Sequence, residues 1–270
     1  MIDSHIHVVP PRLPGVGSLS PVLDSPAEAV AVILRQEMAT AGTSQALAMG
    51  AWGAPEEDPL GVAGTLQIAR SVPGLHAIGI ADPTRIAPEH LQRTATFLAS
   101  GQVRALKAYL GYLHYAPDHP GYRPYYELAA RYQVPFIFHT GDTYSPRAKL
   151  RFAQPLLVDD VAVDHPDVRF VLAHVGNPWL TEAAEVVYKN VNVWADLSGQ
   201  VVGDASSFVA EEQQDRLHEA ATALARAFRY AERPNRFIYG SDWPLAPMGA
   251  YSAFIRSAIP EMHHEQVFEE

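Results

Sequence analysis

The chain contains no cysteine. Disulfides, iron–sulfur clusters and thiolate zinc sites are therefore excluded, and any metal must rest on histidine and carboxylate. Positive charge is also scarce. The 20 Lys and Arg stand against 30 Asp and Glu, for a net charge of −10. That balance disfavours a general nucleic-acid binder without excluding a local basic pocket. No apolar run is long enough to span a bilayer. The N-terminus has no basic patch followed by an apolar core, so no signal peptide is visible. The expectation is a cytoplasmic protein with neither nucleic acid nor membrane as partner. Also missing are a linker-like run, a second repeat period and a low-complexity tract. There is no glycine-rich turn after an early strand, which a doubly wound open sheet would want.

What is present suits a large core. The chain has 270 residues, 48% of them hydrophobic, a length that fits one α/β barrel or two smaller domains. Apolar strand-like runs fall at 1–9, 43–49, 75–81, 103–109, 134–139, 168–174, 191–197 and 236–239. Helical patterns follow at 25–41, 60–71, 88–100, 124–132, 155–163, 178–188, 211–231 and from 250 to 258. The first of these starts with Ser25 as cap and Pro26 at the first helical position, and stops at Gly42. Eight strands, each followed by a helix, imply a parallel sheet, and this size is that of a closed (β/α)8 TIM barrel forming one domain over 1–270.

The opening stretch is Met1-Ile2-Asp3-Ser4-His5-Ile6-His7. Alternate side chains of a strand share a face, so Asp3, His5 and His7 point one way. Two readings compete: an edge strand with polar residues facing water, or two imidazoles holding one cation. Matching ligands at other strand ends decide between them, because the C-terminal strand ends of a barrel carry its chemistry. Strand five ends Phe138-His139-Thr140-Gly141, strand six Ala173-His174-Val175-Gly176, and strand eight Gly240-Ser241-Asp242-Trp243-Pro244. Each apolar run finishes in one potential ligand followed by small or turn residues. Isolated core histidines do not explain such a set.

Together these four motifs resemble the amidohydrolase superfamily, and within it the amidohydrolase-2 branch that includes aminocarboxymuconate-semialdehyde decarboxylase-like metal-dependent hydrolases. They span Asp3 to Pro244 in the family's order. The resemblance implies one divalent metal ion, usually zinc, with His5, His7, His139 and Asp242 as ligands. It places His174 beside the metal as a catalytic acid/base and makes Asp242 both ligand and proton acceptor. Ligand type alone favours zinc, while manganese, iron, cobalt or nickel could replace it. Asp3 shares the histidine face one layer deeper and is expected to support the site or the barrel floor. Lys107, on strand four, has three readings: carboxylated bridge between two metals, binder of a substrate carboxylate, or half of a buried ion pair. The unmodified lysine ranks first. Superfamily nucleases of the TatD type carry a glutamate on strand four, so this lysine counts against DNA cleavage. The family pattern also continues past a Val-Phe-Glu-Glu-like helix, whereas this chain stops at Glu270. That departure touches the last helix and not the ligands.

Around the expected mouth, Arg147, with Lys149 and Arg151, follows strand five and either receives an anionic substrate or forms a solvated loop. Tyr109, Tyr112, His114, Tyr115 and His119 either line a pocket or pack their loop. Trp52 and Trp243 lie just beyond strand ends as candidate walls. His76, His90, His165, His218, His263 and His264 have no place in the pattern. The expected partner is a small molecule, and a homo-oligomer is compatible with the sequence. The leading function is hydrolysis of an amide, ester or lactone by metal-activated water. The alternative is non-oxidative decarboxylation of an unsaturated or aromatic carboxylic acid, and a non-catalytic metal-binding barrel ranks last.

Overall fold

The computed structural model describes residues 1–269; Glu270, where the departure at the chain's end was noted, lies outside them. Eight strands run in the order of the sequence: β1 (Ile2–Ile6), β2 (Gln45–Met49), β3 (Leu75–Ile80), β4 (Val103–Ala108), β5 (Phe136–His139), β6 (Phe170–Ala173), β7 (Val193–Asp196) and β8 (Phe237–Ile238). Each pairs in parallel with the next. The ring is drawn together between its last and first strands. The Ser4 amide donates to the Tyr239 carbonyl at 2.9 Å, the His7 amide to Trp243 at 2.7 Å, and the Asp242 amide to His5 at 2.8 Å. The chain folds as a TIM barrel, as its alternating pattern predicts.

Helices α1 (Ala27–Ala41), α2 (Ala63–Ala69), α3 (Pro88–Ala99), α4 (Arg123–Tyr132), α5 (Leu157–Asp164), α6 (Leu180–Lys189), α7 (Gln214–Ala231) and α8 (Met248–Ala258) follow the strands in turn, and α9 (His264–Phe268) comes last. In α1, Val30, Ala31, Leu34 and Met38 are the buried positions, one stripe of a 3.6-residue repeat. That helix ends at Gly42 in the left-handed conformation, as expected, but it starts one residue later than its sequence signal. Pro26 occupies the cap, and no side chain caps the helix.

Strand alternation divides the core into two layers. Met49, Ile78, Ala105, Ile137 and Val171 fill the barrel's inside. The alternate residues face the helices, where Phe136, Phe138 and Phe170 stack with Tyr122 and Tyr126 of the α4 region. Phe170 is fully buried. Its ring lies 5.6 Å from Phe138 and 5.4 Å from Tyr126. Truncating it leaves a cavity these rigid rings cannot fill. Phe170→Ala is expected to lower unfolding stability by about 3–5 kcal/mol, read as a lower denaturant midpoint; an unchanged midpoint would show that the layer repacks freely.

Candidate active site

Continuing the inward-facing rows toward the C-terminal ends of the strands replaces apolar residues with polar ones. Asp3 and His5 come from β1, Lys107 from β4, His139 from β5 and Asp196 from β7, all buried. His7 lies just beyond β1 and Asp242 beyond β8. His174 does not end a strand: β6 stops at Ala173, and His174 and Val175 turn with φ of 64° and 46°. Exposure rises from the floor to the mouth. The side chain of His5 is 1% exposed, those of His7 and Asp242 6%, and that of His174 12%.

His5 Nε2 lies 3.8 Å and His7 Nε2 3.5 Å from Asp242 Oδ1. These gaps are too long for hydrogen bonds. They are close to the edge of a tetrahedron built on zinc–ligand bonds, about 3.4 Å. Asp242 Oδ1 and His7 Nδ1 are buried without a hydrogen-bond partner, a costly state for polar atoms. Ligand atoms of His5, His7 and Asp242 fall within 4.8 Å of one another, and so do those of His5, His174 and Asp196. Two or more imidazoles around an acceptor with no donor fit a divalent cation by donor chemistry. His139 stands outside both groups. Its Nε2–H donates to the Asp142 carbonyl at 2.9 Å, and its Nδ1 faces His174 Nε2 at 3.2 Å.

Burial dominates the electrostatics. It pushes His5 down to about 4, with the Lys107 charge acting the same way. Burial also holds His139 well below the usual histidine range and lowers His174. Burial raises the Asp242 carboxyl, but the neighbouring imidazoles, His7 at 3.5 Å first and then His174 and His5, outweigh it and hold the group low. Asp196 behaves alike, with His5 as its main counterweight. Asp3 has no such partner and is pushed up to about 7 by burial. Its Oδ1 accepts the backbone N–H of Ser241 at 2.9 Å and of His5 at 3.2 Å, so it ties β1 to the loop after β8.

The flanking residues divide. Lys107 is fully buried with no partner for its Nζ and is pushed down to about 8 by burial. Together with Tyr109 and Tyr112 it lines the inner cavity beside His5, His7 and Asp242. The hydroxyl of Tyr109 donates to the Gly50 carbonyl at 3.1 Å. Trp52 sits behind Tyr109 instead, donating to Asp82 at 3.1 Å. Trp243 turns away from the mouth into the core with Ile6, Val8 and Met248. The Arg147 side chain packs along Gly15 and is not among the residues lining the site cavities.

Sequence reasoning missed Asp196, Ser198 and Gln200, and also Tyr144 and Arg216. The first had a signal: Val193-Trp194-Ala195-Asp196-Leu197-Ser198 is another apolar run ending in a carboxylate and a small residue. Asp196 Oδ2 accepts from His5 Nδ1 at 2.8 Å. Arg216, in the first turn of α7, had none. It lines the open cavity of about 180 Å³ above Asp242, with His139, Tyr144, His174 and Gln200.

A sequence profile of amidohydrolases matches residues 2–262. No curated protein matches the chain. Among solved structures, an uncharacterized TIM-barrel protein from Bordetella bronchiseptica is 19% identical, with a TM-score of 0.66 over 99% of this chain and 95% of that one. A probable 2-pyrone-4,6-dicarboxylic acid hydrolase from Acinetobacter baumannii, with citric acid bound, is 14% identical, with a TM-score of 0.67 over 99% and 96%. A 5-carboxyvanillate decarboxylase from Novosphingobium aromaticivorans, with bound manganese, is 12% identical, with a TM-score of 0.60 over 100% and 94%. At these identities the solved structures speak for the barrel alone. The profile spans nearly the whole chain and includes every strand-end motif, and on that ground the chain belongs to the amidohydrolase family.

Proposed function

We propose that this protein is a metal-dependent hydrolase acting on an amide, ester or lactone of a small anionic molecule. The observation that supports it is the meeting of His5, His7 and Asp242 ligand atoms within 4.8 Å beneath a solvent-open cavity. His5, His7, His139 and Asp242 are the proposed holders of one divalent ion, zinc by ligand type. When bound, such an ion polarises a carbonyl and lowers the pKa of a water toward about 7. Asp242, whose Oδ1 has no donor, accepts the proton of the attacking water. His174, kept neutral by burial, relays a proton to the departing nitrogen or oxygen as its bond to carbon breaks. One proton thus passes from water to leaving group.

Arg216 is the proposed receiver of the substrate's anionic group. It lines the same cavity as Asp242 and lies close enough to Tyr144 for its charge to act on that hydroxyl. Arg216→Gln is expected to raise KM for a carboxylate substrate about fivefold, the scale of an exposed ion pair, with kcat nearly unchanged. An unaltered KM would remove Arg216 from substrate recognition. The reaction itself is tested by incubating metal-loaded protein with lactones, amides and dicarboxylates and analysing the products. Addition of water supports the hydrolase. Release of CO₂ replaces it with a decarboxylase on the same site.

A further inference from the structure

The end of β7 and the residues after it, 196–200, enclose His174. Asp196 Oδ1 accepts the His174 backbone N–H at 3.0 Å. Gln200 Nε2 donates to the His174 carbonyl at 2.7 Å. Ser198 Oγ lies 2.9 Å from His174 Nδ1. Gly199, at φ 68°, leaves the remaining space, since a Cβ there would stand 2.6 Å from His174 Nδ1. The backbone these contacts hold is strained. His174 and Val175 have φ of 64° and 46°, a region that side chains, and β-branched valine most of all, avoid. Such strain persists only where surroundings over-determine it.

The hydrogen on Ser198 gives the contacts a direction. A hydroxyl has one proton to donate. Ser198 Oγ makes a short hydrogen bond to Asp196 Oδ1. That oxygen already receives the backbone N–H groups of His174 and Ser198, at 3.0 and 3.1 Å. A carboxylate oxygen taking two donors has no hydrogen to give, so Ser198 donates to Asp196. Its lone pair is then left to accept from His174 Nδ1.

We propose that Ser198 is a positioning residue, which joins Asp196 to His174 Nδ1 and so keeps a proton on that nitrogen. The same carboxylate acts on His5 directly, through Oδ2 and His5 Nδ1 at 2.8 Å. One carboxylate from β7 thereby orients two imidazoles, from β1 and from the turn after β6. An orienting partner on one ring nitrogen decides what the other can do. The inference rests on and deepens the hydrolase reading, since it says how His174 is held at the mouth, but its test does not depend on turnover.

The test is a two-bond ¹H–¹⁵N correlation spectrum of the full chain labelled with ¹⁵N-histidine, at neutral pH, metal-free and zinc-loaded. His174 is identified by the signals missing from His174→Asn. The expected result is a protonated Nδ1 for His174 in both samples. Ser198→Ala should lose that pattern, moving the proton to Nε2 or averaging the two nitrogens, and Ser198→Thr, which keeps a hydroxyl, should restore it. An unprotonated Nδ1 in the parent protein overturns the proposal. So does an unaltered Nδ1–H pattern in Ser198→Ala. If Ser198→Ala does not fold, the parent and Ser198→Thr spectra decide by the same criterion. Zinc content is measured on the same samples. A protein that takes up no zinc yet shows the Nδ1–H pattern upholds this inference while refuting the metal reading.

Discussion

Replacing His174 by Asn should lower turnover by about a hundredfold or more, the usual scale for a positioned acid/base, while leaving metal content nearly unchanged. The His174 side chain is 12% exposed, against 1% for His5 and 6% for His7, so substrate meets it before either of them. Its Nδ1 is engaged by Ser198 at 2.9 Å, which leaves Nε2 for chemistry. In the proposed site three imidazoles and Asp242 would supply four ligands and a water the fifth, and a fourth imidazole would take the water's place. Asparagine preserves a polar group of similar reach but cannot relay a proton. Metal analysis and steady-state kinetics on the same preparation separate the possibilities. Loss of metal would make His174 a ligand, which its 3.2 Å approach to His139 Nδ1 allows geometrically. Full activity would remove it from the reaction.

The double variant His5→Ala, His7→Ala is expected to abolish metal binding, with activity falling to background. Both imidazoles come from one short stretch and face one carboxylate oxygen, at 3.8 and 3.5 Å. Removing them leaves His139 and Asp242 alone, too few ligands for a stable site. The parent protein should hold about one divalent ion per chain, and zinc should raise its thermal midpoint because the ion binds only the folded chain. The variant should show no such rise. It should still fold, because the barrel's inner and outer apolar layers do not involve these side chains. Retention of one ion per chain in the variant would move the site elsewhere. Two ions in the parent protein would instead support a bridging, modified Lys107.

The sequence by itself determined the repeating architecture and the position of its polar ends. Alternating strand and helix patterns specify a parallel barrel, because hydrophobic period is a local property that each segment carries alone. The same rule places His5, His7, His139 and Asp242 at one mouth, since in a closed parallel barrel all strand ends point the same way. Tertiary structure decided what else reaches that mouth. Trp243 stands beside a ligand in sequence, yet it points into the core with Met248, because the turn at Asp242, with φ of 60°, redirects the chain. Arg147 follows strand five but packs along Gly15, while Arg216 arrives from α7. On its helix it reads as any solvated charge. His174 left its strand for a left-handed turn that Asp196 and Gln200 hold from outside. Such meetings depend on how distant loops fold over the closed barrel, and no local period in the chain encodes them.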